Sequence, residues 1–385
     1  MVLFLKKTRQ TDAIEFVVMS IQLSFFGDFV SQRNDDIQLD EGIRHTISSS
    51  DISVCNFESP VEGVFNAFDR YGPKVKQSVK SPTLLRNWGF NVIQLANNHM
   101  LDYGDEGCKA TIEAFKEVLT VGAGSYDEAY SVKVINVKEK RIGFLSCVHH
   151  EFGVWETKHS TQSMGTAWIC HHLIQKRISE AKASVDYLIV LPHAGVEETE
   201  APIPEWRELY HTFIEWGADA VIGTHPHVPQ GWETYNGKPI FYSLGNFYFD
   251  ALDSPHPYWK RSIAVVLDIN EDGISYQVKS IKFSKGEISI DKGEEREGYH
   301  KYLCDLLLEE NYMRYCNKMA IDHWRDYQNW IIRGVGAFSF KLGFKSSIKT
   351  LIYTLIKKRP STLLVNTMQC ESHRWTIIRA QNIYD

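Results

Sequence analysis

The sequence lacks the cysteine pattern of a disulfide framework. Its 385 residues include seven cysteines, an odd number, without regular spacing and without a paired Cys-x-x-Cys motif. Disulfide-stabilised secreted proteins carry paired cysteines, whereas reducing compartments keep thiols free. We therefore predict reduced thiols and a cytoplasmic protein.

Long apolar runs are also missing. The N-terminal residues place Lys6, Lys7 and Arg9 where a signal peptide needs an apolar centre. No uninterrupted apolar run approaches the roughly 20 residues of a membrane-spanning helix. We interpret residues 1–18 as a leader, which could be disordered. We interpret Met19 as the start of the folded domain.

An excess of positive charge is absent as well. The net charge is −6, so the chain lacks the overall positive charge that attracts nucleic-acid phosphates, and no nucleic-acid partner is expected. The hydrophobic content of 43% and charged content of 23% are those of a folded globular protein, and we find no internal repeat. Function must therefore be inferred from local motifs.

Polar residues follow several predicted strands at the point where each strand ends. The apolar runs 21–26, 52–57, 90–95, 186–191 and 219–222 are each typical of a buried strand. Helices are predicted at 81–88, 106–119, 168–183 and 205–216, and Asn236-Gly237 predicts a hairpin. The polar residues at the five strand ends are Asp28, Glu58, Asn98 with His99, His193, and His225 with His227.

These residue types are metal ligands. Carboxylate, amide oxygen and imidazole suit divalent ions such as Mn²⁺, Fe²⁺ and Zn²⁺, and the absence of cysteine from these junctions disfavours a structural zinc site. In an extended segment residues i and i+2 project to the same side, so His225 and His227 are predicted to point together. Individually, each residue could instead shape a turn or cap a helix, as Asp28 and Asp102 illustrate.

One or two such ions would support hydrolysis. Two metals about 3.5–4 Å apart polarise an oxygen and activate water. His99 lies next to Asn98, so it could stand beside the metals and protonate a leaving group. The repetition across five junctions is the main argument for a shared site.

The motifs at these junctions resemble those of the calcineurin-like metallophosphoesterase superfamily, and within it the bacterial capsule-synthesis (CapA, poly-γ-glutamate biosynthesis) family. They occur in family order over residues 20 to about 250. They are Gly27-Asp28, Asn56-Phe-Glu58-Ser-Pro, Ala96-Asn-Asn-His99, Asp102-Tyr-Gly104, Pro192-His193-Ala-Gly-Val-Glu197, Gly223-Thr-His-Pro-His227 and Tyr242-Ser-Leu-Gly-Asn246-Phe.

The resemblance implies an α/β fold, a four-layer αββα sandwich, here predicted over residues 19–295 and followed by a helical extension over 296–385. It implies Asp28 and His227 on a first metal, Glu58 bridging, and Asn98, His193 and His225 on a second, with His99 as the acid. Asp102 orients His99 or caps the next helix. Asn97, Glu197 and Asn246 are assigned to substrate binding or to support of the ligands, with ordinary hydrogen-bonded loop residues as the alternative.

The chain departs from the superfamily in its first motif. Where the superfamily has Asp-x-His, this sequence has Asp28-Phe29-Val30, and Val30 has no donor atom. The first metal is therefore left with Asp28, Glu58 and His227. We predict that it binds more weakly than the second.

The C-terminal extension has a different character. From Tyr327 to Cys370 there is no Asp or Glu, and Lys341, Lys345 and Lys349 recur at intervals of four on predicted helix 338–358. A basic, aromatic helix is typical of peripheral contact with an anionic membrane or an acidic partner. The alternative is a helical flap packed on the sandwich with its lysines in water.

Three functions remain open. The first is a metal-dependent protein of capsule synthesis that acts, with its machinery, in the production or export of an anionic polymer such as poly-γ-glutamate. The second is a cytoplasmic phosphoesterase acting on a phosphoester substrate. The third is a non-catalytic, polymer-binding scaffold.

Overall fold

A computed structural model of the chain describes residues 20–33, 36–63, 65–335, 343–349 and 361–384. Its strands form two large sheets and one small pair. The strands are β1 (Ile21–Val30), β2 (Gln38–Leu39), β3 (Ile52–Phe57), β4 (Val92–Gln94), β5 (Leu119–Val121), β6 (Ala123–Gly124), β7 (Lys133–Val137), β8 (Lys140–Val148), β9 (Gly165–Thr166), β10 (Tyr187–His193), β11 (Ala220–Ile222), β12 (Trp232–Tyr235), β13 (Lys238–Phe241), β14 (Asn246–Phe249), β15 (Arg261–Asn270), β16 (Gly273–Ser284) and β17 (Glu287–Ile290).

Helices occupy the connections between strands and the C-terminal end of the chain. The helices are α1 (Glu41–Ser49), α2 (Ser81–Trp88), α3 (Gly104–Ala114), α4 (Tyr126–Ala129), α5 (His172–Lys182), α6 (Pro204–Trp216), α7 (Glu295–Asp305), α8 (Glu309–Gly334), α9 (344–349), α10 (Thr362–Gln369) and α11 (Glu371–Tyr384).

The first sheet has the order β2-β17-β16-β15-β1-β3-β4-β5, with β14 also paired to β1. The second has the order β12-β13-β11-β10-β8-β7. Strands β1, β3, β4 and β5 are parallel, as are β8, β10, β11 and β13. Parallel strands bring their carboxyl ends to one edge of the sheet, so polar residues at those ends meet there.

Three hydrophobic cores define four layers. On β10, Ile189 and Leu191 face a core shared by the two sheets, whereas Leu188 and Val190 face helices α5 and α6. Successive side chains of the strand thus alternate between its two faces, and both faces are buried, as in a central strand of a sandwich. A third core packs α1 and α2 on the outer face of the first sheet. The predicted four-layer αββα sandwich is thereby confirmed.

Most predicted elements are present, with shifted ends. The helix at Ser81–Trp88 and the hairpin at Asn236-Gly237 are as predicted. The helix predicted at 106–119 is wrong in its second half, because α3 ends at Ala114 and 119–121 pairs as a strand with β4. The helix predicted at 168–183 begins only at His172. Strand β1 continues past residue 26 to Val30, so Asp28 lies within the paired strand rather than beyond it.

The described part of the extension is helical and packs on the sandwich. Trp375 of α11 contacts Trp206 of α6, with ring centroids 4.6 Å apart. The Tyr315 hydroxyl of α8 accepts a hydrogen bond from the backbone N–H of Glu200 at 2.7 Å. Much of the basic stretch, including Lys341, lies outside the described residues, and the predicted boundaries between leader, domain and extension remain predictions. None of the helices in the described ranges is long and apolar enough to cross a membrane.

Candidate metal centre

The strand-end residues named from the sequence converge where the two sheets meet. Asp28 lies in β1 and Glu58 follows β3, both in the first sheet, while His193 ends β10 of the second. The segment with His225 and His227 follows β11, and a bridge between His193 and Thr224 joins it to β10. One buried site therefore draws on both sheets.

A first group of donors comprises Asp28, Glu58 and His227, whose candidate ligand atoms all lie within 4.8 Å of one another. Nε2 of His227 is 3.6 Å from Oε1 of Glu58. Nδ1 of His227 is 3.5 Å from Oδ2 of Asp28. These are the three residues predicted for the first metal. Val30 is fully buried in β1 and adds no donor.

A second group surrounds His193. Its Nε2 lies 3.1 Å from Oδ1 of Asn98, 3.2 Å from Nδ1 of His225 and 3.9 Å from Oε1 of Glu58. Burial, followed by nearby imidazoles including His149, lowers the pKa of both His193 and His225 well below its usual value. Both rings are therefore neutral, which is the form that binds metal.

The Glu58 carboxylate is the feature that best fits a cation. It is fully buried, and neither oxygen has a hydrogen-bond partner among the described residues. Burial raises its pKa well above the usual value, although His227 opposes that rise. Burial lowers the pKa of His227, but the charge of Glu58 and the interactions with Asp28 outweigh it and raise that pKa to about 10. A buried carboxylate without hydrogen bonds is costly unless a positive charge compensates it. The protonated His227 ring supplies one such charge, and a divalent ion that displaces its proton would supply another, so the donors fit a bound divalent ion.

The His225-Pro226-His227 segment is not extended. The prediction that the two side chains point together because the backbone is extended is therefore wrong. His225 has φ of 102° and His227 has φ of 61°, in the left-handed region. The two rings nevertheless lie near each other, with centroids 5.8 Å apart. Residues held in this strained conformation cluster at functional sites, where surrounding structure imposes it.

Asn246 fixes the orientation of His227. Its Oδ1 lies 3.0 Å from Nδ1 of His227 and accepts the ring N–H, while its Nδ2 donates to the carbonyl oxygen of Trp259. This bond leaves Nε2 of His227 facing Glu58. Such a hydrogen bond to a ring nitrogen is of the kind that selects a histidine tautomer in metal sites.

His99 forms a dyad with Asp102. Nδ1 of His99 lies 2.7 Å from Oδ2 of Asp102, which also accepts the backbone N–H of Val75. The guanidinium of Arg70 forms a buried ion pair with the same carboxylate. Asp102 does not cap α3, whose first flanking residue is Tyr103 and has no side-chain cap. Of the two predicted roles, the geometry favours orientation of His99.

Asn97 and Glu197 lie at the edge of the candidate metal centre. Asn97 is buried and donates to the carbonyl oxygen of Phe57 at 2.9 Å, while its own Oδ1 has no partner among the described residues. Glu197 is exposed, yet its carboxylate lies within 4.8 Å of donor atoms of His225 and His227. Asn97 therefore supports the loop next to Glu58, and Glu197 lies at the opening of the site.

Two residues of the site, Asn56 and Arg70, were not predicted from the sequence. Nδ2 of Asn56 donates to Oδ1 of Asp28 at 2.7 Å and lies 3.2 Å from Nδ1 of His193, so it connects the two sheets. Arg70 lies 2.8 Å from Nδ1 of His99. Asn56 belongs to the motif Asn56-Phe-Glu58-Ser-Pro, so its position in the sequence could have identified it. Arg70 lies in an irregular loop, where no motif or periodicity in the sequence marks it.

The fold and site define a class: a four-layer α/β sandwich with a buried cluster of carboxylate, amide and imidazole donors at the junction of its sheets. Residues 22–251 match the family described as bacterial capsule synthesis protein PGA_cap. The chain belongs to this family.

Two curated relatives carry related names. The capsule biosynthesis protein CapA of Bacillus anthracis is 36% identical over 216 residues, which cover 53% of this chain and 52% of the relative. The PGA biosynthesis protein CapA of Bacillus subtilis is 31% identical over 250 residues, covering 60% and 63%. The alignments thus span about half to just under two thirds of each relative.

Solved structures with some likeness are more distant. A putative 5'-nucleotidase from Staphylococcus aureus is 17% identical, with a TM-score of 0.44, and the match covers 75% of this chain and 59% of that one. A calcineurin-like phosphoesterase from Bacillus subtilis is 13% identical, with a TM-score of 0.40 and coverage of 71% and 88%. Such distant likeness assigns no activity.

Proposed function

We propose that this chain is a metal-dependent protein of capsule synthesis that acts in the production or export of an anionic polymer such as poly-γ-glutamate. Family membership and the names of the two CapA relatives support the pathway. The observation that carries metal dependence is the buried Glu58 carboxylate, which has no hydrogen-bond partner in the described structure and lies within 4.8 Å of candidate ligand atoms of Asp28 and His227. Its partners would be the polymer and the other capsule-synthesis proteins.

Two divalent ions of the Mn²⁺, Fe²⁺ or Zn²⁺ type fit the donor set. Asp28, Glu58 and His227 would hold the first. Glu58, Asn98, His193 and His225 would hold the second. When bound, such ions polarise an oxygen of the substrate and lower the pKa of water.

His99 would act as the general acid. In the tautomer that we propose, Asp102 accepts the Nδ1 proton of His99, so the other ring nitrogen is left to exchange a proton with substrate. Arg70 neutralises Asp102 and holds it in place, because its guanidinium is itself anchored by the carbonyl oxygen of Pro73 at 2.7 Å. Arg70 and Asp102 are therefore positioning residues, and only His99 meets the substrate.

The His99–Asp102 dyad next to the metal-ligand cluster also favours a second candidate, hydrolysis of phosphoesters. An Asp–His pair at this position could protonate an alkoxide leaving group. The third candidate, a polymer-binding scaffold, would need neither the dyad nor the ions. The three candidates are separable by one set of variants.

The test combines an enzymatic assay with a polymer assay. The purified protein is supplied with Mn²⁺ and a chromogenic phosphodiester, and the same variants are returned to a capsule-producing bacterium lacking this gene. We expect Asn98→Ala to abolish polymer production, while the control Asn317→Ala, at a half-buried position of helix α8, restores it. Phosphodiester turnover lost in Asn98→Ala, with polymer production unaffected, would favour the plain phosphoesterase. Polymer binding and production that survive both Asn98→Ala and His99→Ala would favour the scaffold.

A further inference from the structure

A second cluster of ligand-type side chains lies beside the candidate metal centre. It comprises His149, Glu151 and Cys370, whose donor atoms all lie within 4.8 Å of one another. Their exposed fractions are 1%, 9% and 1%. His149 and Glu151 follow β8 of the sandwich, whereas Cys370 joins α10 to α11 beyond the family match, which ends at residue 251. The cluster therefore joins the family domain to the C-terminal extension.

One nitrogen of His149 is unsatisfied. Its Nδ1 lies 3.3 Å from the Ser372 hydroxyl, which fixes the ring. Its Nε2 has no hydrogen-bond partner among the described residues and lies 3.4 Å from Oε1 of Glu151. This buried nitrogen is compensated either by a proton, as an ion pair with Glu151, or by a cation bound to both side chains. Nδ1 of His373 is also unpartnered within the described chain, and this residue lines the same cavity.

The neighbours of Cys370 hold it rigidly on the sandwich. The Glu371 carboxylate accepts the backbone N–H of His150 at 2.6 Å and the indole N–H of Trp168 at 2.7 Å. The Ser372 hydroxyl accepts the indole N–H of Trp206 at 3.0 Å and donates to the carbonyl oxygen of Gly195. The thiol is therefore placed by two flanking residues, as a preorganised ligand requires.

The charge of the cavity favours a cation. The cavity has a volume of about 180 Å³, and four carboxylates line it: Glu151, Glu197, Glu198 and Asp326. Burial raises the pKa of the Cys370 thiol well above its usual value, although the backbone N–H groups of Ser372 and His373 oppose the rise. Without a cation the sulfur is protonated. Cation binding would break the S–H bond, release the proton to solvent and form a sulfur–metal bond.

We propose that His149, Glu151 and Cys370 form a further divalent-cation site of the zinc class. Imidazole, carboxylate and thiolate together are a donor set that Zn²⁺ accepts in tetrahedral geometry. The sulfur distinguishes this site from the candidate metal centre, whose predicted ligands include no cysteine. The proposal does not depend on the proposed function.

This site would fasten the extension beside the metal centre. The ring of His149 contacts that of His225, with centroids 4.3 Å apart. Trp330 of α8 and His373 of α11 line the same cavity as His225. A cation bound to Cys370 would therefore hold the part of the extension that lines this cavity, at the opening of the candidate metal centre.

Co²⁺ is the probe, because thiolate ligation gives a near-ultraviolet charge-transfer band that oxygen and nitrogen ligands do not give. The full chain is freed of metal, titrated with Co²⁺ and assayed for total bound metal. We expect the wild-type protein to show the band, and Cys370→Ser to lose it together with about one equivalent of metal. Cys316→Ser is the matched control, since Cys316 is also buried in the extension and should leave the band unchanged. Asn98→Ala, which removes a ligand of the other centre, should also leave it unchanged.

Two outcomes would overturn the proposal. One is a wild-type protein without the band at saturating Co²⁺, and the other is a band that survives Cys370→Ser. If Cys370→Ser fails to fold, Glu151→Gln and X-ray absorption of the zinc-loaded wild-type protein replace it. Glu151→Gln should weaken the band-forming site at least tenfold, and the absorption spectrum should contain a zinc–sulfur distance of about 2.3 Å. Absence of sulfur from that spectrum would refute the site.

Discussion

Replacement of Glu58 by glutamine is the sharpest test of the candidate metal centre. Gln has the same shape but no charge, and Glu58 has no hydrogen bonds to lose among the described residues. In cation-free protein the burial that raises the pKa of Glu58 disfavours its charge and so destabilises the fold at neutral pH, while a buried amide without partners costs only about 1–3 kcal/mol. We therefore expect Glu58→Gln not to lower the melting temperature in the presence of a chelator.

The opposite result is expected when Mn²⁺ is present. A cation that binds only the folded protein, at about 100 times its dissociation constant, adds about 2.7 kcal/mol to the free energy of unfolding. At about 2 °C for each kcal/mol, this raises the melting temperature of the wild-type protein by roughly 5 °C. Because Glu58 is proposed to contribute to both ion positions, Glu58→Gln should lose most of that increment. Differential scanning calorimetry with chelator and with Mn²⁺ measures both quantities.

Glu233→Gln provides the matched control. The Glu233 carboxylate accepts hydrogen bonds from Arg207, His211 and Tyr242 on the far side of α6. Loss of this charge should cost about 1.5–3 kcal/mol whether or not Mn²⁺ is present, and leave the Mn²⁺ increment intact. The reasoning fails if Glu58→Gln lowers the chelated melting temperature as much as Glu233→Gln does, or if it keeps the full Mn²⁺ increment.

Four further predictions follow from the same structure. His99→Ala should keep its bound metal but reduce any hydrolytic rate by about 10²–10⁴, and loss of metal in this variant would make His99 a ligand instead. After dialysis of the Cys370→Ser protein, which lacks the further cation site, against limited chelator, about one metal per chain should remain, as measured by elemental analysis. That metal should be lost when His193→Ala is added but not when Asp28→Ala is added, and the reverse would invert the order of affinities. Burial raises the pKa of Glu233, but its hydrogen bonds hold it well below the usual value. Glu233 therefore stabilises the fold above about pH 4.5, a contribution lost as the pH falls, so acid unfolding of Glu233→Gln should depend less steeply on pH. Finally, if the basic stretch binds anionic lipid, the full chain should float with anionic liposomes and a chain ending near Tyr299 should not; equal flotation would remove membrane contact.

The sequence by itself determined most of the elements and the family. Buried strands such as 52–57 and 186–191 are visible because runs of β-branched and apolar residues end abruptly in polar ones. The polar residues at these ends, from Asp28 to His227, predicted a set of metal ligands and identified the family. Local pattern was sufficient there because each motif is contained within a few residues of one strand end.

Only the tertiary structure decided what those residues contact. The left-handed conformations of His225 and His227 are imposed by surrounding packing, so the extended geometry inferred from their spacing was wrong. Arg70 reaches the His99–Asp102 pair from an irregular loop, and Cys370 reaches His149 from the opposite end of the chain. Spacing along the sequence cannot reveal such contacts, because loop closure and the docking of helices bring together residues that share no local periodicity.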